Sequence, residues 1–327
     1  MEFLVHTGVN WIVAIQSLGG WLEAPMRFFT FLGSQEFFFL VLPLIYWSVD
    51  AGLGLRIAVI LALSNNLQLI FKLLFAGPRP YWVSAQVKAF AAESTFGIPS
   101  GHAQNSIGLW GIMASGVHKR RAWIVAFTLA FLVGFSRLYL GVHFVHDVIA
   151  GWLIGGLILW VVTGLWDSAV VWLKGRTLGQ QVLIGFVVSM VFLAVGVWSA
   201  ARLDGYSFPE EWKDNALRAG PLPDPVSIER ILTASGSLFG LAAGAAWIAS
   251  RGGYQASGPM EKRALRYGVG LIGILILLFG LGQIFPRDES SISYILRYFR
   301  YSLVVFWVIA GAPWLFFHFK LAGRPNR

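Results

Sequence analysis

Ser136-Arg137-Leu138-Tyr139-Leu140-Gly141-Val142-His143-Phe144-Val145-His146-Asp147 joins two long apolar runs, Ala122–Leu140 before it and Val145–Leu165 after it. Each run is about as long as a helix that crosses a bilayer. Arginine, histidine and aspartate are costly in apolar surroundings and are retained there mainly for function. Two other stretches have the same placement. Lys72-Leu73-Leu74-Phe75-Ala76-Gly77-Pro78-Arg79-Pro80 closes the apolar run Leu53–Phe75, and Pro99-Ser100-Gly101-His102 opens the run Gly101–Val117. The reading is an all-α polytopic membrane protein with its chemistry gathered at helix ends.

Composition agrees. Of 327 residues, 57% are hydrophobic and only 13% charged, and the mean hydropathy is +0.67. The remaining apolar runs are Arg27–Trp47, Val182–Ala201, Ile231–Ser250, Tyr267–Phe285 and Arg300–Phe317, so nine spans are expected. Phe3–Leu18 carries His6, Asn10 and Gln16; it reads as an interfacial amphipathic helix, or as a tenth span. The start Met1-Glu2-Phe3 lacks a basic n-region, so no cleaved signal peptide is expected. The net charge of +9 does not indicate nucleic acid, because the longest basic run is only His118-Lys119-Arg120-Arg121. With no cysteine in the chain, disulfides and thiolate metal sites are excluded.

Loop charge sets an orientation. Arg56, Lys119-Arg120-Arg121, Lys174, Arg176, Arg251, Lys262, Arg263, Arg266 and the tail cations Lys320, Arg324 and Arg327 fall on one side. Glu93, Asp204, Glu210, Glu211, Asp214, Asp224, Asp288 and Glu289 fall on the other. Clustered Lys and Arg belong in the cytoplasm, so the acidic side faces outward and carries all three stretches. The Pro-rich connection 202–228 reads as a surface loop. It separates a motif-bearing core, 1–180, from further transmembrane helices over 181–327, which are expected to pack with the core as one unit.

Taken one at a time, the stretches have ordinary readings. Lys72 and Arg137 resemble cations snorkelling from helix ends, Ser100 an N-cap, and His143 a packed histidine. Taken together they suit a phosphate ester. Arg offers a planar fork to phosphate oxygens and Lys a point charge. A helix start at Gly101 presents free N–H groups to an anion. His143 and Asp147, four residues apart, share a helix face, so the carboxylate can fix the imidazole tautomer. On an ideal helix His146 points away from Asp147, as an outer or interfacial group. Glu36 in an apolar run pairs with a site cation or makes a bundle-interior contact. Asn65, Asn66 and Gln68 are read as interhelical hydrogen-bonding groups.

In order and spacing these residues read Lys-x6-Arg-Pro, Pro-Ser-Gly-His and Ser-Arg-x5-His-x3-Asp. The pattern resembles the type 2 phosphatidic acid phosphatase (PAP2) superfamily, which also contains vanadium haloperoxidases and glucose-6-phosphatases. The resemblance implies a PAP2-like helical bundle core over roughly 21–165, followed by additional C-terminal transmembrane helices. It also implies a metal-independent, acid phosphatase-type phosphoric ester hydrolase that needs no cofactor. His143 would be the nucleophile, Asp147 its orienter and His102 the acid–base partner. Lys72, Arg79, Ser100, the Gly101 N–H and Arg137 would bind substrate.

The expected substrate is a lipid phosphomonoester or diphosphate entering sideways from the bilayer past Tyr81, Trp82, Phe90 and Phe96. Membrane lipids are the expected partners; nucleic acid is not one. The alternative is a glucose-6-phosphatase-like hydrolase of a soluble sugar phosphate. That reading draws on Phe71-Lys72 through Arg79-Pro80-Tyr81-Trp82, on the nine-span layout and on Gly236-Ser237-Leu238-Phe239-Gly240-Leu241. Asp147 departs from it, since glucose-6-phosphatases carry an amide there and lipid phosphatases an Asp. A soluble haloperoxidase is disfavoured. A transporter or an inactive lipid-binding relative would be the other class, but no repeat or broken helix points to a transporter, and the complete motif set speaks against an inactive chain. The expected location is a bacterial or archaeal cell membrane with the site facing outside, or a lumenal face in a eukaryote.

Overall fold

The computed structural model describes residues 2–323 except 287, and for residues 2–6 the backbone alone. Fifteen α-helices follow in order, with no strand among the described residues. They are α1 Glu2–Gln16, α2 Glu23–Phe31, α3 Gln35–Leu44, α4 Ala51–Phe75, α5 Pro80–Val83, α6 Gly101–Val117, α7 Arg120–Tyr139, α8 Val145–Lys174, α9 Leu178–Ala201, α10 Glu210–Ala219, α11 Ile228–Ser250, α12 Met260–Leu275, α13 Leu281–Ile284, α14 Ser291–Phe306 and α15 Ala312–His318. The π-helical turns 276–280 and 307–311 carry α12 into α13 and α14 into α15.

Among the described residues, seven helices or continuous helical segments are long and apolar enough to cross a membrane, or eight with one bent pair counted. The expected count of nine is therefore not confirmed, for two reasons. The first run breaks at 32–34, and the helical segments on either side meet at 47°. Helix α6 has 17 residues, roughly 25 Å of rise, short of a hydrocarbon layer of roughly 30 Å. Helix α1 has 15 residues and is shorter still.

The chain divides into two compact units, 1–38 with 67–160 and 196–227, and 39–66 with 161–195 and 228–327. In the first, α7 packs against α6 and α2, and α10 packs against α5. The connection after α9 is therefore not a passive loop. Phe208 meets Trp82 at 5.0 Å and Tyr206 meets Phe96 at 5.5 Å, and Asn215 donates to the Trp82 carbonyl at 3.1 Å. These contacts brace α5 and, at Phe96, the segment 84–98 whose Thr95 and Phe96 carbonyls meet Arg79.

In the second unit α11 lies along α14. The two backbones approach so closely that a Cβ on Gly240 would collide with the Ser302 carbonyl, the close approach small residues permit between membrane helices. Asn66 donates to the Ala234 carbonyl at 3.1 Å and accepts from Ser235 at 3.1 Å, an interhelical bond of the expected kind. Trp47 is fully buried beside Ile274, Ile309 and Phe316, and its indole donates to the Val308 carbonyl at 2.8 Å. Glu36 is exposed and makes no ion pair among the described residues, so neither expected pairing holds.

Candidate active site

Helix ends deliver each motif residue. Lys72 comes from the last turn of α4, Arg79 stands before α5, Ser100 before α6, Arg137 in the last turn of α7, and Asp147 in the first turn of α8. His143 lies on the short link between α7 and α8. Lys72, Arg79, Arg137, His143 and Asp147 are each at most 2% exposed. Snorkelling cations would reach solvent, so that reading fails for Lys72 and Arg137.

Arg79 is the hub. Its Nε donates to the Thr95 carbonyl at 2.6 Å, and Nη2 donates to Thr95 Oγ1 and the Phe96 carbonyl, both at 3.1 Å. Nη1 donates to the Val142 carbonyl at 2.8 Å and lies 3.2 Å from His143 Nε2. A guanidinium only donates, so Nε2 presents its lone pair and the ring proton sits on Nδ1. That nitrogen is 3.2 Å from Asp147 Oδ2, and the same oxygen accepts the Phe144 N–H at 2.9 Å. Gly97 makes room for this carboxylate, since a Cβ there would lie 3.0 Å from Oδ2 and 2.6 Å from the Pro78 carbonyl. Burial, and then the charges of Arg79 and Lys72, push the His143 imidazole well below its ordinary value of 6.5. His143 is thus neutral near pH 7, with an unprotonated Nε2 that accepts from Arg79.

Lys72 donates to the Phe96 carbonyl and, at 3.3 Å, to that of Gly97. The Ser100 N–H donates to the Asp147 carbonyl at 2.9 Å, tying the second motif to the third. Ser100 occupies the N-cap position of α6, yet its hydroxyl makes no capping bond. Ser100 Oγ and Arg137 Nε are buried with no hydrogen-bond partner among the described residues. Buried donors are rarely left unsatisfied, and two of them beside a cationic cluster suit an anion. Gly101 begins α6 and is buried. His102 follows it, within electrostatic reach of Arg137, Glu93, Arg79 and Lys72. Ser136 is buried but donates to the Val133 carbonyl of its own helix at 2.6 Å, so it does not join the cluster.

Sequence reading missed two neighbours. His146 lies 3.3 Å from Asp147 Oδ1 with its side chain 47% exposed; in the first helical turn the ideal angular separation does not keep the two side chains apart. Glu93 counted only as loop charge. Its carboxylate pairs with Arg137 and lies 3.8 Å from Arg79 Nη2. Tyr81 Oη fixes its backbone, accepting the Glu93 N–H at 3.0 Å and donating to the Glu93 carbonyl at 3.1 Å. Burial alone would raise the Glu93 carboxyl, but Arg137 and Arg79 outweigh it and hold the group far below its ordinary value. No local spacing announces this residue. Its only signal was an acid in a loop between two cationic motifs. Tyr81, Trp82 and Phe96 are buried braces rather than an open entrance, while Phe90 stacks on Tyr139 at 5.5 Å.

No group of three or more His, Asp or Glu side chains placed to hold a metal occurs among the described residues.

A buried imidazole beside a carboxylate and convergent cations suits an anionic phosphate ester. Residues 53–169 match the PAP2 superfamily, and residues 232–324 match the PAP2 superfamily phosphatase transmembrane extension. Phosphatidylglycerophosphatase B of Bacillus subtilis is 32% identical, over 44% of this chain and 75% of that protein. Glucose-6-phosphatase 3 of Bos taurus is 27% identical, over 99% of both chains. Among solved structures, the PAP2 type phosphatidylglycerolphosphate phosphatase of Bacillus subtilis covers 48% of this chain and 85% of its own, at 28% identity and a TM-score of 0.41. The chain belongs to the PAP2 superfamily, as an integral, multi-pass membrane phosphatase.

Proposed function

We propose that this phosphatase hydrolyses the phosphomonoester or diphosphate of a lipid through a phosphohistidine on His143. The observation that carries the reading is the line Arg79–His143–Asp147, in which Nε2 is left as an acceptor on a neutral ring. The Nε2 lone pair attacks phosphorus, and the bond from phosphorus to the leaving oxygen breaks. His102 protonates that oxygen, then takes a proton from the water that attacks the phosphohistidine. The P–N bond breaks and Nε2 regains its lone pair. Lys72, Arg79, Ser100, the Gly101 N–H and Arg137 stabilise the phosphoryl oxygens as charge moves. The cations supply this charge compensation in place of a metal, so full activity is expected in excess chelator.

A lipid is favoured by Asp147, the residue that lipid phosphatases of the family carry there, and by a site built at the ends of membrane helices. Loop charge supports an outward-facing site, and motif placement supports a catalytic core over 1–180 with accessory helices over 181–327. A soluble sugar phosphate is the second reading, favoured by the alignment with glucose-6-phosphatase 3 along nearly the whole chain. Phosphate release by purified protein from phosphatidate, phosphatidylglycerol phosphate, a polyprenyl diphosphate and glucose 6-phosphate decides between them. At least one lipid is expected to exceed the sugar in kcat/KM by roughly tenfold or more, the effect of about one pocket contact. A clear preference for the sugar would reverse the assignment.

Glu93 adds a separate expectation. Its carboxylate holds cations that phosphate oxygens would also use, so substrate must compete with it. Glu93→Gln keeps an oxygen that can accept from Arg137 but removes the negative charge, and should destabilise the protein by about 3 kcal/mol at neutral pH. Because the carboxyl is held low, its contribution is complete above the ordinary value of 4.5 and is lost as pH falls below it. The stability gap between wild type and variant should therefore close on acidification. Orthovanadate should bind the variant more tightly. Unfolding curves across pH and vanadate inhibition check both signs, and equal stability at pH 7 with weaker vanadate binding would refute the competition.

A further inference from the structure

Away from the motif residues, the second unit contains a cavity of about 290 Å³ among α11, α13, α14 and the link before α14. Its polar lining includes Glu229, Gln283, Asp288, Tyr294, Arg297 and Arg300. Arg297 and Glu229 are matched to each other, and Asp288 is held by hydroxyls. Arg297 Nη1 pairs with Glu229 Oε2 at 2.9 Å, and Arg297 Nε donates to Thr233 Oγ1 at 3.1 Å. Asp288 accepts from Ser290 at 2.8 Å and from Ser293.

Arg300 is different. It makes no ion pair among the described residues, and its Nε is buried without a hydrogen-bond partner. Its guanidinium rests on the Tyr301 ring at 5.0 Å, and its Nη1 lies 3.0 Å from where a Cβ on Gly282 would stand. The continuous segment Ser291–His318 has 28 residues, roughly 42 Å of helix, against a hydrocarbon layer of roughly 30 Å. The part beyond Arg300 is roughly 27 Å long and nearly fills that layer. Arg300 therefore sits close to the boundary where lipid phosphates lie. Exposed Phe279, Ile292, Ile295 and Phe299 surround this end with apolar surface suited to acyl chains.

A guanidinium with no ion pair among the described residues is costly at that depth unless something negative meets it. The geometry points to a second phosphate-recognising site in this cavity, with Arg300 as its anion-binding fork and Tyr294 and Gln283 beside it. Its ligand class is the phosphate group, carried by an anionic phospholipid headgroup or present as free phosphate. The site is distinct from the residues assigned to hydrolysis, so a phosphodiester that the enzyme does not cleave can occupy it.

Thermal unfolding of the full-length protein in detergent tests this, with phosphatidylglycerol, diacylglycerol of the same chains and inorganic phosphate added separately. Free phosphate also suits the catalytic cations, so the reading is the difference between wild type and Arg300→Met. Wild type should gain roughly 5 °C with saturating phosphatidylglycerol, diacylglycerol should give little, and Arg300→Met should lose the gain while keeping basal turnover. A wild-type-specific gain with phosphatidylglycerol alone identifies a lipid ligand; the same gain with inorganic phosphate identifies the phosphate group itself. Equal shifts in wild type and Arg300→Met for every addition would overturn the site. Should Arg300→Met fail to fold, Arg300→Lys decides: it keeps the charge without the fork, and an undiminished shift there refutes the assignment.

Discussion

His143→Ala is expected to lose turnover by on the order of 10⁴-fold or more, as removal of a covalent nucleophile does in other hydrolases, while inserting in the membrane and remaining folded. The reason lies in the hydrogen bonds of the ring. Arg79 Nη1 lies 3.2 Å from Nε2, and Asp147 Oδ2 lies 3.2 Å from Nδ1. The proton is therefore on Nδ1, and in the proposed mechanism the electron pair on Nε2 attacks. Burial and the surrounding cations hold the ring neutral well below the ordinary histidine value. Attack by His143 should thus persist at pH values where an unperturbed histidine would be protonated. Kinetics of the purified variant in detergent, with its elution profile as the control for folding, check the loss. Turnover within tenfold of wild type would remove His143 from the mechanism.

Arg79→Lys should lower kcat/KM by roughly 10²–10³-fold, the effect of removing one donor from a preorganised anion site. Charge is preserved in this variant, so Coulomb attraction alone predicts little change. The fork is what disappears. Arg79 reaches Thr95 and Phe96 on one side and Val142 and His143 on the other. A lysine ammonium is a compact point charge and cannot span both. Carbonyls of Thr95, Phe96 and Val142 would lose buried donors, at about 1–3 kcal/mol for each one left unsatisfied. The variant should be both less active and less stable, and guanidine added as a small molecule should restore part of the activity. Wild-type kinetics in Arg79→Lys would mean that charge without geometry suffices.

What the sequence made legible follows from the range of the interactions. Lys72 and Arg79 share one helix end, Ser100, Gly101 and His102 one helix start, and Arg137, His143 and Asp147 one turn between two helices. Each group is local, so spacing alone reveals it, and the structure brings all three into one buried cluster. Glu93 was not legible because its partner Arg137 lies 44 residues away and no periodicity links them. The role of 202–219 was hidden for the same reason: Tyr206, Phe208 and Asn215 read as polar-loop residues until Trp82 and Phe96 are found beneath them. Hydropathy located the membrane helices, but nine spans are not confirmed, since hydropathy senses neither the bend between α2 and α3 nor the short rise of α6. Arg300 marked the edge of an apolar run. Only the cavity beside it shows that it has no ion pair among the described residues.

The central claim is a covalent phosphoryl group on His143. Rapid quenching of the wild-type enzyme with a phosphorus-labelled substrate, followed by peptide mapping, tests it most directly. The expected result is label bound to His143 as an acid-labile, base-stable adduct, absent from His143→Asn and retained longer in His102→Asn, where the water-activating base is missing. Full turnover with no labelled protein at any quench time, or label on another residue, would contradict the mechanism.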